Sequence, residues 1–345
     1  MAYSSIVKPT DYFNTVLYTG NGSTQSITGV GFQPDWVWVK SRSNATNHSA
    51  YDIIRGVQQE LRPNSTDAGA TRSTGLTSFD SDGFSAGSNI NINNSGYTYA
   101  SWNWLAGGTA SSNSDGDITS TVSANTAAGF SIVSYTGTGS NATVGHGLGV
   151  APKMIILKKY DVTGSWGVYH HSLGNSNHLY LQNTDASTSS STIFNSTSPT
   201  SSVFSIGANA ISNGSSNTHI AYCLAEKTGY SKFGSYTGNG NADGIFVYTG
   251  MRPAWIMVKQ TNTTRNWLMF DNKRNEFNDV DKFIKANTSD AEGTTTLVDF
   301  TSNGFKCRTT DTGVNESGGS YIYLAFAENP FVANDSGTAV PVVAR

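Results

Sequence analysis

Three stretches of this chain read nearly alike. Residues 18–40 are YTGNGSTQSITGVGFQPDWVWVK, residues 135–158 are YTGTGSNATVGHGLGVAPKMIILK, and residues 236–259 are YTGNGNADGIFVYTGMRPAWIMVK. Each opens Tyr-Thr-Gly-x-Gly, at Tyr18, Tyr135 and Tyr236. Each then reaches a proline (Pro34, Pro152, Pro253), a mostly apolar run, and a lysine (Lys40, Lys158, Lys259). A period of about 100 residues is the size of a domain rather than of a solenoid unit. The chain is therefore read as three tandem copies of one small domain.

The repeat continues beyond the lysine. Phe79-Asp-Ser-Asp-Gly-Phe84 in copy one matches Phe300-Thr-Ser-Asn-Gly-Phe305 in copy three, with an echo at Val203–Gly207 in copy two. Each copy closes on an aromatic-rich strand, read as Tyr97–Trp102, His219–Leu224 and Tyr321–Phe326. The expected organisation is an arm at 1–12, repeats at 13–105, 129–226 and 231–329, a linker at 106–128, and an arm at 330–345. The linker is rich in Gly, Ser, Thr, Asn and Asp, as flexible connectors are, which leaves copy one free to sit apart. The apolar residues of the two arms, among them Ile6, Val7, Phe331 and Val343, suggest attachment segments.

Strand signals dominate. Trp36 and Trp38 alternate with Val37 and Val39, and both faces of that strand are apolar, as they are in Met154–Leu157 and Trp255–Val258. Such a strand belongs inside a sheet covered on both sides. Asn21-Gly22 and Asn239-Gly240 suit type I′ turns. The expected fold is all-β, three tandem antiparallel β-sandwiches of jelly-roll-like kind. Trp36, Trp38, Trp102, Ile156, Leu224, Trp255 and Phe326 are the expected repeat core, with Trp102, Leu224 and Phe326 at matching places. The two weak helix signals are Tyr51 to Leu61 and Arg274 to Ile284.

Only 13% of residues are charged, about half the usual share, and net charge is −3. This gives no electrostatic footprint for nucleic acid. No apolar run approaches a membrane helix, and the N-terminus lacks the apolar core of a signal peptide. The two cysteines, Cys223 and Cys307, fall at different places in the repeat and read as buried thiols.

No candidate chemistry recurs in all three copies in catalytic form. The lysines read as strand-end side chains that snorkel to solvent. Asp80-Ser-Asp82-Gly83 has calcium-like spacing without the rest of an EF-hand loop, and a β-turn explains it better. His170, His171 and His178 have no accompanying cysteine or carboxylate cluster and read as surface or interface residues, so no metal and no cofactor are expected. The segments 41–78, 159–202 and 260–299 differ most between copies and are where recognition is expected. Tyr160, Trp166, Tyr169, His170 and Trp267 are the candidates there for stacking on sugars, against the alternative that they cover the sheet.

The run from Tyr18 to Lys40, the FDSDGF stretch at 79–84 and SYIYLAFAENPF at 320–331 resemble a family of marine bacteriophage and cyanophage structural proteins. The resemblance covers 13–40, 79–104 and 231–331 and is looser in copy two. It implies a non-enzymatic virion component, a tail fibre or receptor-binding protein, with a capsid decoration protein as the alternative and a glycan-degrading enzyme as a weaker one. The implied partners are other virion proteins and a host surface glycan. The implied location is the virion, after synthesis in the host cytoplasm.

Overall fold

In every repeat the strand that ends in the lysine sits inside a sheet whose four core strands share one antiparallel order: opening, closing, central, flanking. In copy one these are Phe13–Thr19, Thr98–Trp104, Trp36–Ser41 and Ser49–Asp52. In copy two they are Phe130–Thr136, Thr218–Leu224, Met154–Lys159 and Trp166–His170. In copy three they are Ser231–Thr237, Ser320–Pro330, Met251–Gln260 and Trp267–Asp271. The structure is a computed structural model and describes residues 4, 6–330, 332–335 and 338–341. It is all-β, with smaller antiparallel sheets facing the main ones, such as Ala142–Gly145 paired with Val203–Ile206. In copy three, Val280–Lys285 and Gly293–Thr301 carry the main sheet on into the second one, giving eight continuous strands.

The two apolar faces of the central strands have different fates. Val37 and Val39, Ile155 and Leu157, and Ile256 and Val258 each enter the core of their own repeat. Trp36 and Trp38, Met154 and Ile156, and Trp255 and Met257 all enter one core shared by the three repeats. Trp36 stacks on Tyr222 of copy two at 4.3 Å, and Trp104 meets Trp255 of copy three edge-on at 5.8 Å. All seven expected core residues, Trp36, Trp38, Trp102, Ile156, Leu224, Trp255 and Phe326, lie in this shared core. They hold the repeats to one another as much as they hold each sheet together.

Three expectations are corrected here. Copy one does not sit apart, because its tryptophan face would otherwise meet water. The segment 106–128 is not a flexible linker. Ser111–Asn113 and Ser120–Asn125 extend the sheet of copy two, and Asp35 of copy one accepts from Ala106 N and Gly108 N at 2.8 and 3.0 Å. The closing strand of copy one is shifted by two residues. Trp36 pairs with Trp104, as Met154 pairs with Leu224 and Trp255 with Phe326, so the counterpart of Leu224 and Phe326 is Trp104 rather than Trp102.

The Tyr-Thr-Gly-x-Gly motif is explained by one-turn helices that the sequence did not announce, Ile90–Asn93, Ala210–Asn213 and Thr312–Asn315. The hydroxyls of Tyr18, Tyr135 and Tyr236 donate to Ile92 O, Ser212 O and Val314 O at 2.6–2.7 Å. Buried Asn93, Asn213 and Asn315 reach back to the motif, accepting from Asn21 N, Thr138 N and Asn239 N. Gly20 leaves no room for a side chain, since a Cβ there would lie 2.2 Å from Asn94 O. Asn21-Gly22 and Asn239-Gly240 are therefore parts of this latch and not I′ hairpins. Only the glycine of each pair takes positive φ, +70° and +67°. The two sequence-expected helices are turns and strands, Val280–Lys285 among them.

The N-terminal arm packs on the chain itself, with Ile6 in the shared core and Tyr12 against Tyr230. At the C-terminal end Val332–Asp335 pairs with Thr338–Pro341, while Phe331, Val342 and Val343 lie outside the described residues.

A shared core makes the repeats unfold together. Trp36→Ala should cost about 3–5 kcal/mol and move a single transition in chemical denaturation followed by near-UV circular dichroism. Separate midpoints for the repeats would show that they fold independently.

Candidate functional site

The three recurring lysines have no exposed surface, contrary to the snorkelling expected of strand-end lysines. Each ammonium is covered by a segment of the neighbouring copy and donates to backbone carbonyls. Lys158 Nζ donates to Thr66 O of copy one at 3.0 Å and to Gly164 O. Lys259 Nζ donates to Thr184 O of copy two at 3.2 Å and to Gln260 O at 2.6 Å. Lys40 Nζ donates to Ser41 O and Asn44 O, and its nearest carboxylates, Asp290 and Glu292, come from copy three. Burial pulls all three lysines down to about 8, and Asp290, Asp67 and Asp185 respectively oppose that shift.

The contacts run in one direction and close into a ring. Gly69 N of copy one donates to Tyr160 O of copy two at 2.7 Å; Ser187 N of copy two donates to Thr261 O of copy three at 2.8 Å; Glu292 N of copy three donates to Arg42 O of copy one at 2.8 Å. Eight residues after each lysine stands a second clamp. Trp166 Nε1 donates to Arg62 O and Ser65 O at 3.0 and 3.1 Å, and Trp267 Nε1 donates to Tyr180 O at 3.0 Å. His48 takes that place in copy one. Its Nδ1 accepts from Trp38 Nε1, so Nε2–H faces Lys285 O at 3.1 Å.

A third clamp ends each flanking strand. Asp52 holds Arg55 at 2.6 Å and accepts from Tyr222 of copy two at 2.8 Å. Asp271 holds Arg274 at 2.6 Å and accepts from Trp102 of copy one at 3.1 Å. In copy two His170 replaces the acid, Leu173 replaces the arginine, and Leu324 replaces the donor across the junction. His170 Nε2 lies 3.3 Å from Tyr323 O, and burial lowers this histidine to about 3, leaving it neutral. A buried charge without a partner is costly, so acid, base and donor change together.

The sequence candidates for sugar stacking are thus mostly interior. Trp166, Trp267 and His170 are clamps, and Tyr169 packs on Phe194 within copy two. Tyr160 alone is half-exposed, with the Arg55 guanidinium 6.0 Å from its ring. It lines a groove of about 370 Å³ between copies one and two, together with Gln59, Gly69 and Asp161. A matching groove of about 340 Å³ lies between copies two and three, beside Leu173 and Thr261. At the third junction Arg42 and Glu292 replace Tyr160 and Gly69 and pair bidentately at 2.9 and 3.0 Å. A further cavity of about 230 Å³ opens in copy three between Leu268, Phe283 and Gly313. The segments expected to carry recognition therefore spend residues within 62–69, 180–187 and 285–292 on closing the ring. Asp82 accepts from Gly29 N and Gly31 N at 3.0 and 2.6 Å beside the turn it belongs to.

A family model described as Domain of unknown function (DUF7483) matches residues 8–330. The chain belongs to this family. No curated protein and no solved structure matches it. The DUF7483 match runs through all three repeats rather than through one sandwich. Among the described residues no helix is long and apolar enough to cross a membrane.

Two predictions follow from the clamps. The lysines bind fewer protons folded than unfolded between pH 8 and their usual range, so stability rises with pH in that window, by up to about 1.4 kcal/mol per group per unit. The buried tyrosines, pushed up to about 12 at Tyr99 and Tyr321, reverse the trend above pH 10. On the acid side His48 and His170 at about 3 and His219 at about 4 remain neutral when the unfolded chain protonates. Stability should therefore fall as pH drops below about 6.5. Melting temperature against pH should climb from 6 to 10; a maximum at neutral pH would contradict the buried lysines. Trp166→Phe loses the indole N–H together with part of the buried ring system, and should cost about 1–3 kcal/mol for the stranded carbonyls with a cavity cost on top, read by urea unfolding.

Proposed function

We propose that the chain is a non-enzymatic bacteriophage virion protein of the tail-fibre or receptor-binding kind. The observation that carries this is the use made of its repeated polar residues. Lys158 and Lys259, the two Asp–Arg pairs and the clamp tryptophans and histidine bind copy to copy, and the result is a closed three-lobed scaffold. Catalytic residues need access to a substrate, and these groups are enclosed. What varies between lobes is the junction grooves and the copy-three cavity, which is how shared scaffolds carry recognition. The neutral surface rich in amides and hydroxyls and the sequence resemblance point the same way. A unit with approximate threefold repetition suits a place on a particle where three like subunits meet. Its partners are other virion proteins and a host surface glycan.

Labelling purified particles with gold-conjugated antibody against the chain tests this. The expected result is label at the tail end, and purified protein that competes with particles for adsorption to host cells. Label spread over the head, without competition, would replace recognition by capsid decoration. Particles lacking the chain would overturn the virion assignment.

A further inference from the structure

One position of the repeat is closed in copies one and two and open in copy three. In copy one it holds Ser49, Glu60 and Asn91, where Glu60 accepts from the other two at 2.6 and 3.2 Å. In copy two it holds Gly167, His178 and Ile211, and Ile211 fills the space over Gly167. In copy three the equivalents are Leu268, Phe283 and Gly313, and all three line the cavity of about 230 Å³. Glu60 and His178 are buried, whereas Phe283 is half-exposed. Its ring lies over Gly293 of the next strand, where a Cβ would come within 2.4 Å of it. The ring is therefore placed and not loosely hung.

We propose that this cavity binds one neutral hexose unit of a glycan. The proposal rests on the receptor-binding reading only for the source of that glycan. Leu268, Phe283 and Leu297 form an apolar floor suited to the C–H face of a pyranose. Arg265, Lys285 and Asp311 stand around it as donors and acceptor. Asp311 uses one carboxylate oxygen to cap the helix at Gly313 N, 2.7 Å away, and the other has no partner among the described residues. Lys285 is paired with Asp290 at 2.8 Å, and Arg265 lies 3.8 Å from Glu316. With Asp311 also present, no positive charge is left over to attract an anion. Donors and acceptors with no surplus of positive charge fit hydroxyls, which do both, better than a carboxylate or sulfate.

The test is titration of the full chain with D-glucose, D-galactose and D-mannose, with D-glucuronate as the charged control, followed by NMR or calorimetry. Saturable millimolar binding of at least one neutral hexose, tighter than glucuronate, is expected. Phe283→Ala should weaken it at least tenfold. Asp311→Asn keeps a helix cap of the kind Asn89 and Asn209 supply in the other copies, so it should fold normally and still bind several-fold more weakly. No hexose binding, tighter glucuronate binding, or full affinity in a normally melting Asp311→Asn protein would overturn the proposal. Hexose binding by a protein that fails to compete for host adsorption supports the cavity and removes the receptor reading. Competition left intact in Phe283→Ala protein, with no hexose binding by the native chain, removes the cavity and leaves the receptor reading.

Discussion

Trp36 lies 4.3 Å from Tyr222 of the second repeat and 4.4 Å from Trp104 of its own sheet, and Phe13 stacks on Phe326 of the third at 5.0 Å. Large rings from three sheets thus share one interior. Each aromatic side chain buried this way brings a large apolar area out of water, and none of the three sheets has enough covering of its own on that face. The smaller sheets and one-turn helices cover the opposite faces. Remove the common interior and each sandwich would show a broad stripe of tryptophan, methionine and leucine to solvent, the kind of patch that drives association. The clamps around it, polar and numerous, set which copy meets which.

The lysines show how much electrostatic cost this closure absorbs. An ammonium without exposed surface loses its hydration, and backbone carbonyls with a carboxylate at some distance return only part of it. Lowered affinity for the proton is the direct sign of that deficit. The same position is occupied in all three copies, and in each the covering segment arrives from the neighbour, so the cost is tied to the junction. Lys158 and Lys259 take a carbonyl from the neighbour, Thr66 O and Thr184 O, so their burial is satisfied only when the right copies meet.

Much of the fold was legible because the signals were local. Alternation in Trp36–Val39 says that both faces are covered, and the dense Gly and Asn turns say that the strands are short. The pattern has no way to say what covers each face. A neighbouring copy of the same domain and a second sheet of the same domain look alike in an apolar residue. The two-residue slip in the closing strand of copy one passed unnoticed for a related reason. An even shift keeps every side chain on its face, so Trp102 faces the shared core in either register. The linker was misread because Ser, Thr and Asn serve an edge strand as well as a flexible chain. The candidate site was least legible. Trp166 and Trp267 look like sugar-stacking residues until their indole N–H groups are seen to meet carbonyls of another repeat, at Arg62 and Tyr180. The copy-three cavity depends on three residues far apart in sequence, Leu268, Phe283 and Gly313, and Gly313 corresponds to Asn91 and Ile211 only through the latch helices, which have no local signal of their own.

Of the three junctions, the one between copy three and copy one is made by residues farthest apart in the chain. Peptide linkage holds copy one beside copy two and copy two beside copy three whatever the strength of the clamps. The last junction has to find itself across the length of the molecule. It also carries the densest charge pairing, with Arg42 bidentate on Glu292 and Arg274 bridging Asp271 and Glu292. Because every contact in the ring is head-to-tail, an unclosed molecule would offer a covering loop at one end and an uncovered lysine face at the other, and molecules in that state would add to each other without limit. Arg42 and Glu292 thus guard against filament growth: the lock that completes the ring within one chain is also what keeps separate chains from joining into a string.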